Sequence, residues 1–175
     1  MLLCYCGTAF GWGKSGHDAI AYIAECNLTP KAKKNIEKYL DGRSIVYYAS
    51  WMDVYRHTPA YKVTSGWHGD RVDADGKYVP NAKGDALQCI EEAISRLKDY
   101  RSLDDSTVLV SIKYLVHLVG DMHCPVHVKY PWYKNFKFDL NGRPSEFHSF
   151  WDSGVLDLNP VSYTHLRAHE TSLHL

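Results

Sequence analysis

The chain has 175 residues, a formal net charge of zero and a hydrophobic fraction of 45%. This composition suits one folded domain with a proper core and argues against intrinsic disorder. The balanced charge gives no sign of a basic nucleic-acid groove or a charged tail, and no apolar run is long enough to span a membrane. We therefore expect a single globular domain without a membrane span.

Residues 1–11 form an apolar segment with small residues near its end, which is typical of the last part of a secretory signal peptide. Cleavage would fall before Trp12, and because the segment is short we expect its true beginning upstream. A frayed N-terminal strand is the alternative. Removing the segment leaves three cysteines, an odd number that predicts no disulfide framework: Cys26, Cys89 and Cys124.

Helical periodicity dominates the body of the chain. Thr29 and either Asp104 or Asp105 are the expected N-caps, and the pair Asn141-Gly142 predicts the turn of a small hairpin. Residues 57–80 have the composition of a loop. The predicted helices are 17–27, 30 to about 40, 45–56, 81–100, about 107–122, and a last one capped by Ser145. The sequence therefore predicts an all-α fold: a single mostly helical domain with long loops and a small β-hairpin.

The C-terminal segment, residues 160–175, does not continue this pattern. Pro160–Thr171 reads as a common sequencing adapter would if it were translated in one frame. We interpret the segment as a non-native tail and leave it, with its histidines, out of the fold. The natural protein is then expected to continue past Asn159, so that the domain is C-terminally truncated.

Three histidines and an aspartate lie within the eleven residues from His117 to His127. His117 and Asp121 are four residues apart, so a helix presents them on one face. Pro125 ends this helix and lets His127 turn back toward the same face. Nitrogen and oxygen donors in this arrangement suit zinc. The alternative is an amphipathic helix stripe followed by an unrelated loop histidine.

Further histidines and carboxylates repeat this chemistry elsewhere. His148 and Asp152 have the same spacing on another predicted helix, His17 lies on the first helix, and His68 lies in a loop. Asp53 stands among apolar neighbours, and a buried carboxylate needs a charged partner or a metal ion. These residues are candidates for the same metal site.

Five motifs, WGKSGH, ASWMD, the loop His68, HLVGDMHCPVH and FHSFWD, occur here in a characteristic order. In that order they resemble the zinc-dependent single-strand nucleases and 3′-nucleotidases of the S-one/P-one type, relatives of the bacterial zinc phospholipases C. The resemblance covers Trp12 to about Asp157. It implies a mostly helical zinc nuclease domain, of which residues 12–159 are a part.

The resemblance also implies a cluster of three zinc ions (Zn²⁺). The first ion would be held by Asp53, His68, His117 and Asp121. The second would be held by His127, His148 and Asp152. The third would be held by the free amine and carbonyl of Trp12 and by His17, with Asp121 as the bridge. The terminal amine becomes available only after cleavage before Trp12, so the predicted signal peptide and the predicted metal site support each other.

Catalytic roles follow from the same resemblance. A metal-bound hydroxide near Asp121 would attack phosphorus, Asp73 matches a position beside the attacking water, and Arg56 matches a cationic position near the substrate phosphate. A solvated loop carboxylate is the alternative for Asp73, and a surface helix arginine is the alternative for Arg56. Cys124 replaces a glutamine that is usual in the family, and this departure bears on substrate preference. Two histidines match no ligand position, His57 and His123.

The function implied is that of a secreted or periplasmic zinc endonuclease and 3′-nucleotidase. It would hydrolyse single-stranded DNA, RNA and 3′-nucleotides to 5′-phosphate products. Its partner is the nucleic acid substrate, and no stable protein partner is implied. Two alternatives remain: a zinc phospholipase C, and an inactive zinc-binding fragment.

Overall fold

The computed structural model describes residues 13–158, and Trp12, the predicted signal peptide and the predicted tail lie outside them. Most ordered segments are helices: α1 (Lys14–Cys26), α2 (Pro30–Tyr39), α3 (Trp51–Tyr55), α4 (Ala86–Lys98), α5 (Asp105–Met122), α6 (Phe147–Ser149) and α7 (Val155–Leu158). The strands are short: β1 (Asp70–Arg71), β2 (Val128–Lys129), β3 (Lys137–Leu140) and β4 (Arg143–Glu146). The predicted all-α class is confirmed.

Short 3₁₀ turns, and one π-helical turn, join the longer helices. The 3₁₀ turns are Ile45–Tyr48, Lys62–Gly66, Tyr100–Ser102 and Pro125–His127, and the π turn is Phe150–Gly154, between α6 and α7. The prediction of one helix over residues 45–56 was wrong. Ser50 has a ψ of 15° and interrupts the helix, so a 3₁₀ turn capped by Ser44 and the separate α3 replace it.

Two of the predicted N-caps are confirmed. Thr29 accepts a hydrogen bond from the backbone N–H of Ala32 at 3.2 Å. Asp104, rather than Asp105, caps α5 and accepts from the N–H of Thr107 at 2.9 Å. Each side chain satisfies a donor that the first helical turn leaves unpaired, which explains why the helices begin where they do.

Two predicted helix starts were wrong. Helix α4 begins at Ala86 instead of residue 81, because the Asp85 side chain accepts from the N–H of Gln88 at 3.0 Å. Gly84 precedes it with a φ of 89°, outside the helical region. Ser145 caps no helix, since it lies in β4 and the following helix begins after Glu146 without a side-chain cap.

Helix α5 is the central element of the domain, and it packs against α1, α2, α3 and α4. On one side its Val108 and Ile112 join a core with Ala21 of α1. Near its C-terminal end Leu118 joins a second core with Met52 of α3. The last turns of α5 are therefore enclosed by other helices. No helix within residues 13–158 is both long and apolar enough to cross a membrane.

Two small strand pairs arrange the loops around the end of α5. Strands β1 and β2 are parallel, with Arg71 opposite Lys129, so the loop after His68 lies beside the segment after His127. Strands β3 and β4 form the predicted antiparallel hairpin. Its turn has φ values of 54° at Asn141 and 79° at Gly142, as a tight hairpin turn requires.

Candidate metal centre

The site is built on the buried C-terminal turns of α5. His117 and Asp121 have no solvent exposure at all. The Nδ1–H of His117 donates to the carbonyl oxygen of Ala49 at 2.7 Å. A carbonyl oxygen only accepts hydrogen bonds, so this bond fixes the tautomer of the neutral ring with its proton on Nδ1. Nε2 of His117 then carries a lone pair that can bind a metal ion, and it faces Asp121.

His68 and Asp53 complete a compact group with these two residues. Nδ1 of His68 lies 3.1 Å from Nε2 of His117 and 3.0 Å from Oδ2 of Asp121. Oδ1 of Asp53 lies 3.8 Å from the His68 nitrogen and 3.9 Å from the His117 nitrogen. The ligands of a tetrahedral zinc ion lie roughly 3–4 Å apart. The structure brings the four residues predicted for the first ion together at these separations.

Asp121 also faces the other side of the cluster. Its Oδ1 lies 3.4 Å from Nε2 of His17 and 3.3 Å from Nδ1 of His127. The His17 ring stacks on the His117 ring with 4.0 Å between centroids. Gly120 permits this approach, because a Cβ there would stand 2.8 Å from Nδ1 of His17. Asp121 is thus placed between two groups of imidazoles.

The residues predicted for the second ion gather around Asp152. Nε2 of His127 lies 3.3 Å from Oδ1 of Asp152, and Nε2 of His148 lies 3.0 Å from Oδ2. The two imidazole rings stack with 5.4 Å between centroids. Tyr133 Oη and Nδ1 of His148 are hydrogen-bonded at 3.0 Å, which orients the ring. Sγ of Cys124 donates to Oδ1 of Asp152 at 3.2 Å.

Unpartnered polar atoms provide a test of whether these residues fit metal ions. Buried polar groups normally have hydrogen-bond partners. Among residues 13–158, all but one of the buried side-chain atoms without such a partner belong to predicted ligands: His17 Nδ1 and Nε2, Asp53 Oδ1, His68 Nε2, Asp121 Oδ1, His127 Nδ1 and Asp152 Oδ2. The exception is Ser50 Oγ. Nitrogen and oxygen atoms that lie close together without aligned hydrogen bonds are expected where they bind the same metal ions. This set of imidazole nitrogens and carboxylate oxygens therefore fits zinc.

The charges in the cluster point the same way. Burial alone would raise the pKa of Asp121, but the neighbouring imidazoles, above all His117, hold it well below its usual range. Burial lowers the pKa of His17 and of His68. Burial opposes protonation of His127 as well, but two adjacent carboxylates raise its pKa to about 9. Burial also opposes protonation of His117, but its hydrogen bond to Asp121 raises the pKa of this imidazole above its usual value. The centre therefore holds an ionised carboxylate beside two imidazoles that favour the neutral form, His17 and His68, and two that favour the protonated form, His117 and His127. Metal ligands must be neutral imidazoles, so metal binding would release protons from the latter two.

A cavity of about 240 Å³ opens beside the cluster. Its wall includes His68, His127 and His148, together with the basic side chains of Arg56, Arg71 and Lys129. Arg56 is buried, and its Nη2 lies 3.5 Å from Oδ1 of Asp53. The alternative interpretation, in which Arg56 is an arginine on the surface of a helix, is therefore wrong. Sequence reasoning missed Arg71 and Lys129, because only the β1–β2 pairing puts them side by side.

Asp73 does not join the cluster. Its Oδ1 accepts from the N–H groups of Asp75 and Lys77, both at 2.9 Å, so the carboxylate closes its own turn. The carboxylates in the cavity wall are those of Asp85 and of Asp70, which accepts from the N–H of Leu87 at 3.1 Å. The role of Asp73 beside the reacting water stays a prediction. Trp12 lies outside the described residues.

The fold and this cluster define a helical protein with a candidate metal centre that faces a partly basic cavity. The sequence profile of the S1/P1 nuclease family matches residues 12–174. The chain belongs to this family. The predicted resemblance is therefore confirmed.

Individual relatives agree with the profile. The chain is 26% identical to Nuclease S1 of Aspergillus oryzae over 83% of its length and 55% of the relative's. It is 29% identical to Nuclease P1 of Penicillium citrinum over 81% and 57%, and 26% identical to Endonuclease 2 of Arabidopsis thaliana over 84% and 57%. The chain thus spans little more than half the length of these curated relatives.

Proposed function

We propose that the protein is a zinc-dependent nuclease and 3′-nucleotidase that hydrolyses single-stranded DNA or RNA and releases 5′-phosphate products. The observation that carries the proposal is the cavity, because its wall combines candidate metal ligands with the basic side chains of Arg56, Arg71 and Lys129. A phosphodiester is anionic, so a site that hydrolyses it needs both positive charge and a source of nucleophilic water.

Three zinc ions would be held by the predicted ligand sets, with Asp121 between them. Zinc ions bound there would supply charge that offsets the phosphate and would lower the pKa of bound water toward neutrality. The protein's own part is to hold the ligands in place. His117 is fixed by Ala49 and His148 by Tyr133, so both imidazoles are oriented before any ion arrives.

Basic side chains would bind the substrate backbone. Arg56 is held close to Asp53, so its guanidinium is positioned to donate to a phosphate at the cluster. Arg71 and Lys129 are exposed neighbours across β1 and β2, and they would contact the flanking phosphates. Exchanging both for alanine should raise KM and weaken its salt dependence while kcat changes little.

The third ion would require the free amine of Trp12, and therefore export with removal of residues 1–11. The position of Gly13, the residue after Trp12, supports this ligand role. The N–H of Gly13 donates to the carbonyl oxygen of Asp152 at 2.6 Å, so Gly13 lies beside the cluster. We expect the mature protein to be secreted or periplasmic. N-terminal sequencing of the exported protein should begin at Trp12.

Preference for single strands would come from exposed aromatic rings. Tyr130 and Trp132 stack on each other with 5.0 Å between centroids, and both are exposed. An unpaired base has a free face that can stack on such rings, whereas a base inside a duplex does not. Two other aromatic side chains in loops are engaged elsewhere, since Tyr61 packs on Trp51 and Trp67 packs on Tyr114.

The test measures hydrolysis by the full chain after chelation and again after zinc is returned. We expect chelator-sensitive cleavage of single-stranded DNA and RNA, recovery with zinc, slower cleavage of duplex DNA, and 5′-phosphate ends. Phosphatidylcholine is the comparison substrate. Faster release of its headgroup than cleavage of RNA would replace the nuclease proposal with a phospholipase C, and metal binding without hydrolysis of either would leave an inactive zinc-binding fragment.

A further inference from the structure

Cys124 occupies a position inside the candidate metal centre that the predicted ligand sets do not use. Its side chain has no solvent exposure. Its N–H donates to the carbonyl oxygen of Asp121 at 2.9 Å, and its own carbonyl accepts from the N–H of His127 at 3.1 Å. The backbone therefore holds this thiol between two candidate metal ligands.

The sulfur lies at ligand distance from its neighbours. Sγ of Cys124 is 3.2 Å from Oδ1 of Asp152. One donor atom each from Cys124, His127 and Asp152 forms a buried group in which all separations are within 4.8 Å. Tetrahedral zinc with one sulfur ligand places its donor atoms roughly 3–4 Å apart, so these three residues need only small shifts to share an ion.

A further atom in the same group points to a ligand. Oδ2 of Asp152 is buried and has no hydrogen-bond partner. Nε2 of His148 is 3.0 Å from Oδ2 of Asp152, yet the pair lacks hydrogen-bond alignment. The hydrogen bond from the Cys124 thiol satisfies Oδ1 of Asp152 and leaves Oδ2 without a partner, as expected where a cation completes this group.

We propose that Cys124 is a sulfur ligand of the second ion, together with His127, His148 and Asp152. The inference rests on the proposed zinc centre. When the Sγ–metal bond forms, the S–H bond breaks, its proton passes to solvent, and Oδ1 of Asp152 no longer accepts from the thiol. Zinc binds thiolate readily, and the Cys124 thiolate would give this ion a fourth protein ligand beside His127, His148 and Asp152. This ion would then be the one held most firmly in the cluster.

The experiment reads metal ligation directly and does not depend on activity. The full chain is loaded with Co²⁺, and its spectrum is examined for a thiolate-to-Co²⁺ charge-transfer band in the near ultraviolet. We expect the band in the unaltered chain and not in Cys124→Ser. The matched control is Cys89→Ser, because Cys89 is buried in the apolar core beside Met52 and Leu118 and should leave the band unchanged.

X-ray absorption on the zinc-loaded unaltered chain gives a second measurement that needs no variant. We expect a sulfur shell at about 2.3 Å in addition to the nitrogen and oxygen shells. Cys124→Ser should also release one ion to a chelator at least about tenfold faster than Cys89→Ser does, since weaker perturbations around metal ligands already have effects of that size.

The outcomes separate this inference from the proposed function. Metal binding with only nitrogen and oxygen ligands in the unaltered chain would overturn the role of Cys124 and leave the nuclease proposal standing. Failure to bind Co²⁺ or zinc at all would overturn both. If Cys124→Ser does not fold, the absorption data on the unaltered chain decide alone.

Discussion

Two buried polar regions lie close together in this protein and differ in how their atoms are satisfied. At the start of α4, the carboxylate of Asp85 accepts from Tyr78 Oη at 2.8 and 2.9 Å, from the N–H of Asn81 at 2.8 Å and from the N–H of Gln88 at 3.0 Å. At the end of α5, Asp121 is equally buried, but its Oδ1 has no aligned hydrogen-bond donor.

This difference separates a structural site from a binding site. The partners of Asp85 are protein groups that arrive with folding, so the region is complete by itself. The partners of Asp121 are imidazoles, of which His68 is hydrogen-bonded to Oδ2, while those of His17 and His127 crowd Oδ1 without satisfying it. A protein that keeps such a cluster forgoes stability there, which is expected where an added cation completes the site.

The largest effect is expected for Asp121→Asn. The change keeps the shape of the side chain and removes the negative charge that lies between two groups of imidazoles, His68 with His117 and His17 with His127. Hydrolysis of single-stranded DNA should fall by at least about a thousandfold, because metal ions contribute several kcal/mol to such reactions. Bound zinc, measured by elemental analysis, should fall as well. Asp85→Asn is the matched control and should keep its zinc; equal zinc in both variants would contradict the bridging position of Asp121.

Zinc itself should stabilise the folded protein through the cluster around Asp121 and not through the region around Asp85. An ion that binds only the folded state adds about 4 kcal/mol when its free concentration is a thousand times the dissociation constant. Thermal unfolding of the chelated chain should therefore shift upward when zinc is returned. The shift should be much smaller in Asp121→Asn. A shift of the same size in both would place the zinc outside the cluster.

Asp85→Ala should destabilise the fold without affecting the metal centre. It removes the cap of α4 and the bonds from Tyr78 and Asn81, and we expect a loss of about 2–3 kcal/mol in the free energy of unfolding. Urea unfolding of the chelated chain measures this loss. The zinc content should equal that of the unaltered chain, and a lower content would show that the two regions are coupled.

The smallest effect is expected for Tyr78→Phe, and it depends on pH. Burial, and next the hydrogen bond to Asp85, raise the pKa of Tyr78 from 10.0 to about 12. Folding thus favours the neutral phenol, and this contribution is present below pH 10 and is lost as pH rises from 10 through 12. Urea unfolding should show a difference of about 1 kcal/mol or less at pH 8 that narrows over this range. A constant difference would contradict the hydrogen bond as its source.

Local spacing was enough to predict much of the site. His117 with Asp121, and His148 with Asp152, are pairs that one helical segment presents together. The caps Thr29 and Asp104 were also local, since each side chain bonds a backbone group within three residues. Such interactions depend only on short-range geometry, so a single sequence reveals them.

One error arose where two local interactions competed. The helix expected from residue 81 begins only at Ala86, because the side chain of Asp85 caps it there and the preceding residues form a turn. Propensity alone does not rank such alternatives.

The sequence by itself determined that this chain is helical, that it belongs to a family of nucleases, and which histidines and aspartates are its candidate ligands. Only the tertiary structure decided that Arg71 lies beside Lys129 and that the Cys124 thiol meets Asp152. The reason is physical: each of these contacts joins distant parts of the chain, and their distances depend on how the helices pack around α5.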